Sequence, residues 1–127
     1  MKIKGMFPLV ITEKIKLCKD FYTKYFGFEA VFDSDWYIHL RNPSGVELGF
    51  MMPDLKNQPH VLHSIYAGNG VVISFEVEEI EEEYKKHTNM GIDITYDLKN
   101  EEWGQKHYMV KDPSGMIIDI IQYVQSQ

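Results

Sequence analysis

The sequence repeats one pattern of turns and helix ends, and this repeat limits the possible folds more than any other feature does. The turns Asn42-Pro43-Ser44-Gly45 and Asp112-Pro113-Ser114-Gly115 lie 70 positions apart, and Gly27 and Gly91, each ending a helical pattern, lie 64 apart. Proline fixes φ at the second position of a type I turn, and glycine accepts the positive φ with which such turns often end. Both turns therefore predict tight hairpins inside two similar halves.

Each half of the chain reads as strand, helix, glycine, strand, strand, turn and strand. The expected elements are strands at 3–11 and 28–32, a helix between Thr12 and Gly27 and a hairpin at 36–51, then strands at 71–77 and 92–96, a helix at 78–90 and a hairpin at 103–122. Neither half alone can bury both faces of a four-stranded sheet. We therefore predict a single α+β domain of two tandem βαβββ modules, in which two curled sheets lie side by side with helices outside and a groove in front. The predicted modules are 1–52 and 70–127, and residues 53–69 are the predicted linker.

Composition and charge exclude several classes of function. The 127 residues include 44% hydrophobic side chains, but no apolar run approaches the roughly 20 residues that span a bilayer, and the N-terminus lacks the features of a signal peptide. We expect a cytoplasmic protein without a membrane partner. The net charge is -6 and the sequence has no Lys/Arg cluster, so nucleic acid is not an expected partner. Cys18 is the only cysteine, which leaves no internal disulfide and no cysteine-based zinc site.

Three local motifs resemble the vicinal oxygen chelate superfamily, which includes glyoxalases, extradiol dioxygenases, and fosfomycin- and bleomycin-resistance proteins. They are FYTKYFGFE at the end of the first helix, NPSGVELGF in the first hairpin, and EWG followed by VKDPSGMIIDIIQ in the last hairpin. Together with the paired βαβββ pattern they span nearly the whole chain. The resemblance implies the fold of that superfamily, a scaffold that hosts many different reactions.

The resemblance also implies where a metal ion would bind. In metal-dependent relatives two histidines and two glutamates on four strands hold a divalent ion, and these positions fall on Phe7, Glu47 or Gly49, Val72 and Asp119. Phe7 and Val72 cannot ligate a metal, and two carboxylates alone make a poor site for nickel, zinc or iron. The pattern is more similar to the bleomycin-resistance branch, in which the groove binds a drug without metal catalysis. No cofactor is therefore expected.

Alternation along the strands selects the candidate site residues. Side chains of equal parity share a face of a strand, which places Glu47, Gly49 and Met51 together, and Ile117, Asp119 and Ile121 together. Turn spacing similar to that of the fosfomycin-resistance proteins implies that His107 and Met109 also face the groove. By the internal repeat, Tyr37 and His39 take the matching places on the third strand. A carboxylate among isoleucines, as at Asp119, is costly unless it is paired or its pKa rises. Aromatic side chains near the groove would stack on a planar ligand. The predicted ligand-binding residues are Phe7, Trp36, His39, Glu47, Met51, Trp103, His107, Met109 and Asp119.

Two functions of different classes follow from these residues. The leading hypothesis is a metal-independent protein that binds a small, partly aromatic molecule, neutral or cationic, between its modules and protects by sequestration; a homodimer is implied by resemblance. The alternative is a metal-dependent lyase or dioxygenase, with one divalent ion at a relocated cluster of His39, Glu47, His107 and Asp119, or with His107 and Asp119 as catalytic acid and base. If neither holds, His39 and His107 are solvated or satisfied structural residues.

Overall fold

The computed structural model describes residues 1–124, which divide into two units, unit 1 from Met1 to Ala67 and unit 2 from Gly68 onward. The elements of unit 1 are β1 (Leu9–Ile11), α1 (Ile15–Phe26), β2 (Glu29–Asp33), β3 (Tyr37–Arg41), β4 (Glu47–Met51) and a short 3-10 helix at His60–Leu62. Those of unit 2 are β5 (Val72–Glu76), α2 (Ile80–Asn89), β6 (Ile94–Glu101), β7 (Gln105–Lys111) and β8 (Ile117–Tyr123).

The two units share one sheet topology. The strand order is β1-β4-β3-β2 in unit 1 and β5-β8-β7-β6 in unit 2. In each sheet the first strand pairs in parallel with the last one, while the other neighbours are antiparallel. The prediction of two tandem βαβββ modules is therefore confirmed.

Equivalent turns build the central hairpin of each unit. Asn42 and Asp112 each accept, through the side-chain oxygen Oδ1, the backbone N–H two residues ahead at 2.8 Å. Gly45 and Gly115 follow with φ of 92° and 93°, a region that favours glycine. The two hairpins predicted from the Pro-Ser-Gly turns are thus confirmed, and each one presents two antiparallel strands to its helix.

One face of each sheet packs against the helix and forms the core. In unit 1, α1 buries Cys18 and Tyr22 against β3 and β4, where the buried strand residues are Ile38, Leu40, Leu48 and Phe50. In unit 2, α2 buries Ile80 and His87 against β7 and β8. The buried residues that these two strands contribute to the core are Tyr108, Val110, Ile118 and Ile120. The alternate residues of the same strands project from the opposite face, called here the open face of each sheet. The candidate site residues of the hairpins lie on these open faces.

Two predicted strands differ from those in the structure by three residues or more in length. The first strand covers only Leu9–Ile11 instead of 3–11, because Pro8 has no N–H and contributes only its carbonyl, which accepts from Gly49. The strand expected at 92–96 begins at Ile94 and continues to Glu101. This extension brings Glu101 beside β7. Among residues 1–124, neither helix is long and apolar enough to cross a membrane.

Candidate functional site

Three hydrogen-bonded side chains form a chain on the open face of unit 1. The Tyr37 hydroxyl lies 2.6 Å from Nδ1 of His39, and Nε2 of His39 lies 2.6 Å from Oε1 of Glu47. His39 faces Gly49 across the β3–β4 ladder, so Glu47 is its diagonal neighbour, within reach of a long side chain. The ring of Phe7 meets His39 edge-on, with the ring centroids 4.5 Å apart. The predicted residues Phe7, His39 and Glu47 are therefore brought together.

A glycine makes room for the tyrosine of this chain. A Cβ built on Gly49 would lie 2.6 Å from the Tyr37 hydroxyl, closer than real Cβ atoms approach, so only glycine allows the hydroxyl to cross β4 at this point. Burial and the negative charge of Glu47 both raise the pKa of Tyr37. The hydroxyl therefore stays protonated at neutral pH and acts as a hydrogen-bonding group.

A pocket of about 460 Å³ lies at the Tyr37 end of this hydrogen-bonded chain. It is lined by Trp36, Met51 and the loop residues Leu55, Lys56, Asn57, Gln58 and Pro59. The side chain of Gln58 holds this loop, because Oε1 accepts from the backbone N–H of Leu55 at 3.0 Å and Nε2 donates to the Met52 carbonyl at 2.9 Å. The ring centroids of Trp36 and Tyr37 are 5.7 Å apart. The pocket thus adjoins the Tyr37–His39–Glu47 chain, and its volume falls within the range of small-molecule sites.

The open face of unit 2 carries a histidine between two carboxylates. Nδ1 of His107 lies 2.7 Å from Oδ1 of Asp119, and its Nε2 lies 3.0 Å from Oε2 of Glu101. His107 is 4% exposed and Asp119 is 8% exposed. A carboxylate can only accept, so an imidazole that bonds to two ionised carboxylates must carry both ring protons. The predicted pair His107–Asp119 is therefore part of a three-residue cluster.

The electrostatics of this cluster favour a charged histidine. Burial opposes the charge on His107, but the hydrogen bonds to Glu101 and Asp119 outweigh it, and the pKa of His107 is raised. Burial raises the pKa of Asp119, against the opposing effect of the bond to His107. The hydrogen bond from His107 lowers the pKa of Glu101, which also lies 3.2 Å from the Lys99 ammonium. Alternating charges along Lys99, Glu101, His107 and Asp119 thus offset the cost of burial.

Sequence alternation did not identify Tyr96, Lys99 or Glu101 as members of this cluster. The register of β6 shifts between Tyr96 and Lys99, which is the mark of a β-bulge. Because of this shift, the Tyr96 hydroxyl reaches Oε2 of Glu101 at 3.2 Å although the two residues differ in parity. The neighbouring Glu102-Trp103-Gly104 motif was the available signal, since it marks the strand end that carries Glu101. A bulge has no comparable signal in the sequence.

The remaining predicted residues lie around these two clusters. Trp103 is 68% exposed, and its ring centroid is 6.3 Å from that of His107. Met109 faces Asp119 across the β7–β8 ladder, and Met51 faces Tyr37 across the β3–β4 ladder. The structure thus groups five predicted residues in unit 1 and four in unit 2.

The histidines of the two units occupy different positions in the repeat. Counted from the Pro-Ser-Gly turns, His107 corresponds to Tyr37, and Asp119 corresponds to Gly49. His39 therefore lies two residues closer to its turn than His107 does, which is the next position on the same face of the strand. The two histidine–carboxylate pairs are not equivalent copies of one ancestral pair.

The residues at the metal positions implied by resemblance do not fit a metal ion. Phe7 and Val72 have no donor atom, while Glu47 and Asp119 are each bonded to a histidine. His107 lies between its two carboxylates, so both ring nitrogens are already engaged. Within residues 1–124, no group of three or more His, Cys, Asp or Glu side chains is arranged to hold an ion.

Comparison with known proteins agrees with the topology and with the motifs. Residues 8–120 match the model of a family described as the glyoxalase/bleomycin resistance protein/dioxygenase superfamily. The chain belongs to this superfamily. No curated protein matches the sequence. The superfamily assignment explains the duplicated βαβββ pattern, and it leaves the reaction and the ligand open.

Several solved structures share the fold of this superfamily member. A glyoxalase/bleomycin resistance protein/dioxygenase from Nocardioides is 16% identical with a TM-score of 0.80, covering 100% of this chain and 88% of its own. A superfamily member from Sphaerobacter thermophilus is 23% identical with a TM-score of 0.73, covering 94% and 98%. A bleomycin resistance determinant encoded on the transposon Tn5 is 17% identical with a TM-score of 0.70, covering 95% and 98%. At these identities the similarity shows the fold alone.

Proposed function

We propose that this superfamily member binds a small, partly aromatic, cationic molecule without a metal ion, and sequesters it without converting it. The observation that carries the proposal is the pocket beside Trp36 and Met51, which adjoins the polar Tyr37–His39–Glu47 chain. Small-molecule sites combine an apolar wall with a few polar groups that fix the orientation of the ligand. Unit 1 has both parts, the pocket at the loop that follows β4 and the polar chain on β3 and β4.

The aromatic part of the ligand is inferred from the pocket wall. Trp36 is 45% exposed and lies next to the Tyr37 ring, so a planar molecule can stack there without displacing the core. Lys56 also lines the pocket, and the aliphatic stem of a lysine can pack against a ring while its ammonium stays in water.

The positive charge is inferred from the carboxylates. The Glu47 side chain is 36% exposed although it is bonded to His39, so it remains accessible to a ligand cation. The net charge of -6 favours the approach of cations over anions.

Binding without a metal ion is inferred from the donor atoms. Phe7 and Val72 offer none, and the carboxylates of Glu47 and Asp119 already serve histidines. The enzyme alternative with His107 as acid or base has less support, because a catalytic imidazole needs a ring nitrogen that can reach the substrate and both nitrogens of His107 are engaged. A homodimer and a cytoplasmic location stay predictions from resemblance and composition.

Thermal-shift measurements followed by calorimetric titration test the proposal. Bleomycin represents cationic glycopeptides, and aminoacridines and aminoquinolines represent planar cations. We expect at least one class to raise the melting temperature in proportion to ln(1 + [L]/Kd), and Trp36→Ala to remove this shift.

The matched control is Tyr123→Ala, which removes an exposed aromatic side chain that does not line the pocket. Its shift should equal that of the wild type. The proposal fails if none of these compounds binds, or if Trp36→Ala binds them as tightly as the control does.

A further inference from the structure

The Tyr37 side chain stands next to Trp36 at the edge of the pocket, and its hydroxyl is a candidate group for recognising a ligand there. Its ring stands beside Trp36, and its side chain belongs to the same face of the sheet as Met51, which also lines the pocket. The hydroxyl makes one bond to His39 and passes over Gly49, next to the Leu9 side chain. A tyrosine hydroxyl can donate one hydrogen bond and accept two, so a single bond leaves capacity for a ligand.

The protonation state of His39 decides whether the Tyr37 hydroxyl can still donate a hydrogen bond to a ligand or can only accept one. Glu47 can only accept, so Nε2 of His39 must carry a proton to make the 2.6 Å bond. In a neutral ring Nδ1 then has none, and it accepts the proton of the Tyr37 hydroxyl at 2.6 Å. One ring proton thus satisfies both bonds, and the Tyr37 oxygen is left with its lone pairs.

We propose that Tyr37 selects ligands that carry an N–H or O–H donor, with its hydroxyl oxygen as the acceptor and with His39 and Glu47 as positioning residues. This proposal rests on the proposed function and names the ligand group that Tyr37 recognises. A ligand ring stacked beside Trp36 would lie along the Tyr37 ring, with its donor directed at the oxygen above Gly49. Gly49 contributes by having no side chain, which allows the hydroxyl to take this position.

The structure also explains why only unit 1 can offer this acceptor. The residue that corresponds to Tyr37 in the repeat is His107, whose ring nitrogens are both bonded to carboxylates. The residue that corresponds to Gly49 is Asp119, whose carboxylate is bonded to His107. The acceptor is therefore a property of one unit, and the duplicated fold does not repeat it.

Two planar cations of equal charge separate donor recognition from simple stacking. The 4-aminoquinolinium ion has N–H donors, whereas 1-methyl-4-(dimethylamino)quinolinium has none. At pH 8, where histidines are ordinarily neutral, calorimetric titration should give about fivefold tighter binding of the donor, as expected for one hydrogen bond. In Tyr37→Phe the two affinities should become equal, with that of the methylated ion unchanged.

The outcomes of this experiment are distinct. If neither ion binds to the wild type or to Tyr37→Phe, the proposed function itself fails for planar cations and this proposal fails with it. If both ions bind equally to the wild type, binding stands and donor selection by Tyr37 is wrong. A preference that persists in Tyr37→Phe would arise from the size of the methyl groups, and it would also overturn the proposal.

A second measurement, on the ligand-free protein, tests the role of His39 and Glu47. The ¹⁵N chemical shifts of the His39 ring should show a protonated Nε2 and an unprotonated Nδ1 at pH 8. Glu47→Gln should change this tautomer ratio and reduce the preference for the donor, whereas a purely structural role would leave both unchanged. A wild-type ring protonated at Nδ1 would reverse the polarity of Tyr37 and overturn the proposal.

Discussion

The Tyr37 hydroxyl occupies the space that a side chain at residue 49 would need. The distance from this oxygen to a Cβ built on Gly49 would be only 2.6 Å, and the oxygen is held in place by Nδ1 of His39, also 2.6 Å away. Tyr37 could therefore make way for a methyl group only by leaving His39. The glycine and the hydrogen-bonded chain are thus two parts of one arrangement.

Gly49→Ala should lower the free energy of unfolding by about 1–2 kcal/mol, because the methyl group forces Tyr37 away from His39 and breaks their hydrogen bond. Urea denaturation measures this change. In a Tyr37→Phe background the same substitution should cost less, since the hydroxyl is already gone. Gly5→Ala, where an added Cβ meets nothing within 4 Å, is the control. Equal costs in both backgrounds would contradict the arrangement.

The stability of the protein should depend on the charge of His107. The pKa of His107 is raised in the folded state, so its contribution is fully present below the unfolded-state pKa of roughly 6.5 and is lost as the pH rises through the folded-state pKa. The free energy of unfolding should therefore fall over the range from about pH 6.5 up to the raised folded-state pKa. Denaturation across this range should show a smaller fall for His107→Gln than for the wild type.

The same raised pKa can be read directly by NMR. The His107 ring should titrate above the ordinary histidine range, and Asp119→Asn should lower its pKa, because the substitution removes one of the two negative charges that stabilise the imidazolium. His60, an exposed histidine of unit 1, serves as the internal reference, because its ring signals at a fixed pH should be unchanged by the substitution. An unchanged pKa at His107 would show that its bond to Asp119 is not maintained in solution.

His107→Ala should destabilise the protein by about 2 kcal/mol, because it removes the partner of the buried Asp119 carboxylate. The comparison is His60→Ala, which should change the stability by no more than about 0.5 kcal/mol. Thermal or urea denaturation distinguishes the two variants. If the two substitutions cost the same, the His107 cluster contributes nothing to stability.

Removal of metal ions should leave the protein unchanged. Protein purified without chelator should carry no stoichiometric nickel, zinc, manganese or iron after dialysis, because two of the four positions implied by resemblance hold Phe7 and Val72. Elemental analysis and melting curves with and without EDTA measure this. One ion per chain, with a melting temperature that EDTA lowers, would instead support the alternative of a metal-dependent enzyme.

The sequence predicted the fold because its strongest signals are local. Gly27 ends α1 in the left-handed conformation, and both Pro-Ser-Gly turns close hairpins, as expected from the backbone preferences of proline and glycine. The repeat of these signals then fixed the two βαβββ modules.

The sequence predicted the candidate site only in part. Alternation, the internal repeat and the family resemblance together placed His39 with Glu47 and His107 with Asp119, and the structure joins each pair by a hydrogen bond, because both pairs follow the regular geometry of a hairpin. Glu101 was missed because it reaches His107 from an extended and bulged β6, and a bulge changes which residues share a face.

Because His39 and His107 lie at different positions of the repeat, the hairpins of the two modules are not interchangeable. A chimaera with residues 107–121 grafted in place of 37–51 would keep the turn and the core pattern, yet it would put histidine at the tyrosine position and aspartate at the glycine position. The exchanged hairpin would fold, but it would lose the open acceptor oxygen of unit 1. One half thus carries a hydroxyl held by a single histidine, and the other half a histidine enclosed by two carboxylates.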